Sequence, residues 1–230
     1  MLTIAPGALR LAMSAIAPSS SLPPGPLDRF LRLFAEVRAG EGAQVLLLTL
    51  NAFLILTAYY VIKPAREALI LVQPGGAEIK SYATALQVVL LAAAVPVYGA
   101  LATRLARRPL VNLFTAFLIG CLALFYLAAQ AGMHVGVPFF LWIGVFSLMG
   151  IAQFWGYAND LYTPEAGKRL FAFIAFGASS GAVFGAFISG GLIDVLGVNA
   201  LLLVAAATLA VSLTLFNLID LRARATQIAP

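Results

Sequence analysis

The sequence predicts an all-α membrane protein with six transmembrane helices. Of its 230 residues 62% are hydrophobic and 10% charged, and mean hydropathy is +1.00, whereas a soluble domain carries roughly 25% charged residues. The apolar residues fall in helix-length runs such as ALLLVAAATLAVSLTLF. These do not alternate with polar residues, which excludes the closed barrel, the other structure able to satisfy its backbone in lipid. A hydrocarbon core of about 30 Å takes roughly 20 apolar residues per helix, so about six spans fit.

In chain order, residues 1–26 are rich in Pro, Ser and Ala, and LRLAMSAIA is too short and weakly apolar to span. This stretch is expected to be a disordered tail. Residues 27–40 place Leu27, Phe30, Leu31 and Phe34 at helical spacing with Arg29, Arg32 and Glu36 elsewhere, the pattern of an amphipathic helix lying on a membrane face. The six-span bundle is expected over 41–225, with spans near 43–72, 81–102, 110–129, 138–158, 170–193 and 200–219. The first is the longest, because the chain turns apolar again after KPARE. A helix of about 30 residues covers roughly 45 Å.

Lysine and arginine orient the bundle. Arg29, Arg32 and Arg38 precede span one; Arg104, Arg107 and Arg108 follow span two; Lys168 and Arg169 follow span four; Arg222 and Arg224 follow span six. The connections 130–137 and 194–199 contain neither residue type. The pattern predicts a multi-pass membrane protein with both termini cytoplasmic. Lys63, Arg66 and Lys80 break it, and that exception marks the place to look for function. The net charge of +5 follows from these basic loops and does not require nucleic acid as a partner. Cys121 is the sole cysteine, so no intrachain disulfide forms.

Three constellations stand out. Tyr59, Lys63 and either Arg66 or Glu67 share a helix face, with Tyr60 adjacent. Charges placed deep in a membrane pair with each other or with a ligand; two cations against one carboxylate leave one positive charge for an anion. The alternative is a helix ending at Ile62, with these charges in a solvated outer loop. The second constellation is GALATRLARRPL between spans two and three. The third runs from Phe154: FWGYAND, the turn LYTPEAGKR, then LFAFIAFGASSGAVFGAFISGG, where Gly177, Gly181, Gly185 and Ser189 recur every four residues. Such a stripe lets a neighbouring helix approach closely. Asp160, Glu165, Lys168 and Arg169 form a charge cluster at the cytoplasmic end, suited to gating.

Gly99, Leu101, Arg104, Arg107 and Arg108 resemble the cytoplasmic loop of the major facilitator superfamily, although Thr103 replaces that family's Asp and Ala106 its second Gly. The lost carboxylate puts the superfamily's outward-open latch in doubt. More specifically, FWGYAND with Lys168 and Arg169, YYVIKPAREALIL and GGAEIKSYA resemble three segments of the ATP/ADP antiporter family of plastids and intracellular bacteria, in the same order. The resemblance spans 44–221 and implies the N-terminal six-helix half of a nucleotide exchanger working by alternating access with a second half, from the same or a separate chain. It implies phosphate binding by Lys63 and Arg66, orientation by Glu67 and a polar ligand contact from Asn159, with Tyr59 or Tyr60 offering a ring for stacking. The expected partners are the lipid bilayer, a nucleotide or other organic anion, and that second half. No Walker loop, HExxH or metal-spaced Cys/His cluster occurs, so neither an enzyme nor a cofactor is expected. A second reading, from a different class, is a non-transporting scaffold that binds a partner through the glycine stripe.

Overall fold

A computed structural model describes residues 29, 31, 33, 36–38 and 40–228, the side chains of 225–228 excepted. It divides the chain into 1–43 and 44–230. In the first unit the expected tail, 1–26, and most of the expected amphipathic helix, 27–40, lie outside the described residues. The backbone N–H of Arg38 donates to Glu41 Oε2 at 2.9 Å, and Gly40 takes φ 88°.

The regular structure of the described residues is helical, with six helices long and apolar enough to cross a membrane. They are α1 (Gly42–Leu71), α2 (Gly76–Arg104), α3 (Arg107–Gln130), α4 (Gly136–Leu161), α5 (Pro164–Leu196) and α6 (Ala200–Ile228). The connections consist of a few residues each and place successive helices side by side.

Helix α1 is the hub. Val45, Leu48, Ala52, Ala58, Val61, Ile62 and Ala65 are fully buried, at successive steps of three, four, six, three, one and three residues, so more than half of the helix circumference is covered. The helix passes through Pro64 without ending. Proline removes one backbone donor and leaves a carbonyl one turn back unpaired.

The glycine stripe of α5 lies against α1. A Cβ at Gly177 would meet Thr49, one at Gly181 the carbonyl of Phe53, and one at Gly185 the carbonyl of Thr57 at 2.6 Å. Both sequences advance by four at each contact, so the two helices run parallel in fixed register. Thr57 Oγ1 donates to the Gly181 carbonyl at 3.1 Å, a bond made possible only by that close approach. Ser189 continues the buried stripe. The stripe is therefore covered within the chain.

Helices α3 and α6 pack along each other. Asn112 and Asn217 exchange reciprocal amide bonds of 3.1 and 2.9 Å, and Asn51 of α1 donates to the Ser212 carbonyl of α6 at 2.7 Å. Helix α2 touches α4 and α3. None of its most apolar 18-residue window is buried, and Val88, Val89 and Val97 are exposed. An apolar helix with an uncovered surface is what a lipid environment tolerates.

Two features differ from the sequence reading. Helix α5 begins at Pro164, with the Thr163 side chain accepting from the Ala166 N–H at 3.4 Å, so Glu165, Lys168 and Arg169 lie on its first turns. The N-cap and the proline that follows it start the helix before its apolar run does. In α4 a π-helical turn, Phe146–Gly150, separates α-helical Gly136–Val145 from Ile151–Leu161. Such turns leave no compositional mark and are frequent at functional sites.

Candidate functional site

The charged residues of α1 lie inside the helix, which reaches Leu71, so the reading in which it ends at Ile62 does not hold. Glu67 is their hub. Arg66 Nη2 reaches Glu67 Oε1 at 2.6 Å, and Lys80 Nζ reaches Glu67 Oε2 at 2.6 Å. The second bond ties α1 to α2 across the Gln73–Gly75 turn, which requires the left-handed Gly75, φ 72°.

Lys63 Nζ lies 4.9 Å from the centroid of the Tyr60 ring, within the range of a cation–π contact. It has no ion-pair partner among the described residues. Arg66 also covers the Phe140 ring, 5.0 Å from its centroid, which brings the N-terminal part of α4 to the site. Tyr59 stands edge-on to Tyr60 at 5.3 Å and to Phe146 at 5.7 Å, next to the π turn. The contacts thus form two neighbouring groups on α1: Tyr59 and Tyr60 with Lys63, and Arg66 and Glu67 with Lys80. Together they hold three cations, Lys63, Arg66 and Lys80, and one carboxylate, Glu67. All of these side chains are partly open, so the excess positive charge is available to an anion.

Asn159 does not join them. It lies 19 positions beyond Phe140 on α4, about 28 Å along a helix axis. It is exposed and lines an open hollow with Thr163, Gly167, Lys168 and Phe171. Beside it Asp160 Oδ2 accepts from Arg107 Nε at 2.6 Å, which joins α4 to the start of α3. Arg108 Nε reaches Asn217 Oδ1 at 3.2 Å and Asp220 Oδ2 at 3.5 Å. Asp220 also pairs with Arg224 at 2.9 Å, so the α3–α6 connection ends in a charge cluster. Arg104, Glu165 and Lys168 are exposed at the same end, and Arg169 is half-buried. The loop arginines and the Asp160 region, which are distant in sequence, form one layer at the same end of the helices.

Sequence reasoning left several residues out of its site. Lys80 breaks the charge rule, but no spacing in the sequence points it to Glu67; only the α1–α2 turn brings them together. Asn217 and Asp220 carry no motif. Gln153, buried in α4, receives a 3.5 Å bond from Tyr98 and donates to Thr115 at 3.4 Å. A lone glutamine within an apolar run was the available signal for it.

Residues 26–130, the segment that holds α1, α2 and α3, match the model of the TLC ATP/ADP transporter family. The segment contains the whole Tyr59–Lys80 cluster and Arg104, Arg107 and Arg108, and it ends before FWGYAND. No curated protein and no solved structure matches the chain.

Proposed function

We propose that this chain is one half of a secondary transporter of the inner membrane that exchanges nucleotides of the ATP/ADP type, or a related organic anion, by alternating access with a second half. The observation that carries this reading is the charge excess at α1: Lys63 has no ion-pair partner among the described residues while Glu67 is engaged by both Arg66 and Lys80. A polyphosphate supplies the missing negative charge, and charge-assisted bonds to it are strong where water is scarce. Lys63 and Arg66 hold phosphate oxygens, Glu67 fixes the cations in position, and the Tyr59–Tyr60 pair walls the site and offers a ring face.

In this reading the cytoplasmic-end layer, Arg104, Arg107, Arg108, Asp160, Glu165, Lys168 and Arg169, gates access, with Asn159 at the entrance rather than at the phosphates. Movement of α4 relative to α3 breaks and remakes the Arg107–Asp160 bond. The glycine stripe gives little support to a scaffold role, because α1 already occupies it.

The test is thermal stabilisation of the detergent-purified protein by ATP, ADP, phosphate and unrelated organic anions. A ligand that binds only the native state raises the melting temperature. ATP or ADP is expected to stabilise wild type, and Lys63→Ala is expected to weaken binding about 10-fold or more, since a hydrogen bond to a charged group contributes roughly 1.5–3 kcal/mol. Equal stabilisation of wild type and Lys63→Ala refutes the site.

A further inference from the structure

Helix α2 turns a single narrow stripe toward the bundle. Between Ser81 and Val97 its residues that are not exposed are Ala83, Gln87, Leu91 and Ala94, a spacing of three and four that continues Lys80 on one side and Tyr98 on the other. The polar members at both ends are engaged: Lys80 bonds Glu67, and Tyr98 donates to Gln153. Gln87, between them, has no hydrogen-bond partner among the described residues.

Its position is built for an amide. A Cβ placed at Gly144 of α4 would overlap the Gln87 side-chain nitrogen, so the side chain sits in the notch that this glycine leaves. Gln87 is 11 residues from the start of the 29-residue α2, close to its middle. An amide left unpaired at that depth is costly, because lipid offers it no partner, and polar groups held inside a membrane bundle characteristically face an internal path and what moves along it. The amide carries both donors and an acceptor. Along α2 it lies seven residues from Lys80, about 10 Å, a separation that an extended nucleoside phosphate bridges and inorganic phosphate does not.

We propose that Gln87 is a further ligand-binding residue, whose amide hydrogen-bonds the uncharged base or ribose of a nucleotide while the Lys63–Arg66 end holds its phosphates. This rests on the exchanger reading above. It assigns α2 and the Gly144 notch to recognition of the part of the ligand that distinguishes a nucleotide from a simple phosphate. The glycine is then required so that the amide has room beside α4.

The experiment compares binding of ATP and of inorganic tripolyphosphate to the purified full chain, by ligand-dependent melting, for wild type, Gln87→Leu, Gln87→Met and Gly144→Ala. Ligand-free melting shows whether each variant is folded. Gly144→Ala keeps the amide but drives it out of the notch, because the added Cβ overlaps its nitrogen and crowds Cδ and Cγ. Losing one neutral hydrogen bond is expected to weaken ATP binding about three- to tenfold in the folded variants and to leave tripolyphosphate binding unchanged. Variants that bind ATP like wild type, or that lose ATP and tripolyphosphate in equal measure, overturn the assignment of Gln87 alone. Wild type that binds neither probe overturns this assignment together with the exchanger reading on which it rests.

Discussion

Substitution of Gly181 tests the packing that holds α1 in place. The added Cβ of Gly181→Ala meets the Phe53 carbonyl and its neighbouring backbone atoms, and backbone cannot rotate away as a side-chain end can. The helices must separate. Overpacking of this kind costs about 1–3 kcal/mol, and separation also loses the 3.1 Å bond from Thr57 to the Gly181 carbonyl, about 0.6 kcal/mol more in a membrane bundle. The sum, about 2–4 kcal/mol, opposes the roughly 1 kcal/mol by which alanine is the better helix former. The control is Gly190→Ala on the same helix, where an added Cβ meets nothing within 4 Å and only the helix-propensity gain remains. Thermal unfolding in detergent should lower the melting temperature of Gly181→Ala by several degrees relative to wild type and leave Gly190→Ala equal or higher. Equal melting of the two variants would refute the parallel α1–α5 contact.

Three further outcomes are expected. Asn217→Leu removes the partner of Asn112 and Arg108 and leaves their donors facing an apolar group, so it should destabilise the protein by about 1–3 kcal/mol, read from the same unfolding curve. Arg107→Ala breaks a bond between side chains 34% and 52% exposed, so its effect on melting should stay below about 1 kcal/mol. Accessibility of a cysteine introduced at Asn159 should rise in that variant if the Arg107–Asp160 bond closes that end of the helices; unchanged labelling would count against the gate. Thr57→Val should lower stability by less than Gly181→Ala, because it loses the bond without forcing the helices apart, and a larger loss would mean that the bond rather than the close approach holds α1 to α5.

The sequence by itself determined the class of fold, the six spans and the placement of the first charged cluster. Hydropathy does this because a bilayer demands long apolar helices that satisfy their own backbone groups, and 3.6-residue periodicity puts Tyr59, Lys63 and Glu67 on one face whatever surrounds them. The every-four glycine stripe likewise announced a close helix contact. Its partner was not legible, because a stripe of absent side chains fits any smooth helix; the register of Gly177, Gly181 and Gly185 against Thr49, Phe53 and Thr57 decided for α1. Tertiary structure also decided that Asn159 stands apart from Lys63, since α4 carries it to the far end of the span, and that Lys80 meets Glu67, since a tight turn folds α2 back onto α1. The π turn in α4 and the seat of Gln87 beside Gly144 belong to the same category. They depend on how neighbouring backbones press together, which no local run of residues encodes.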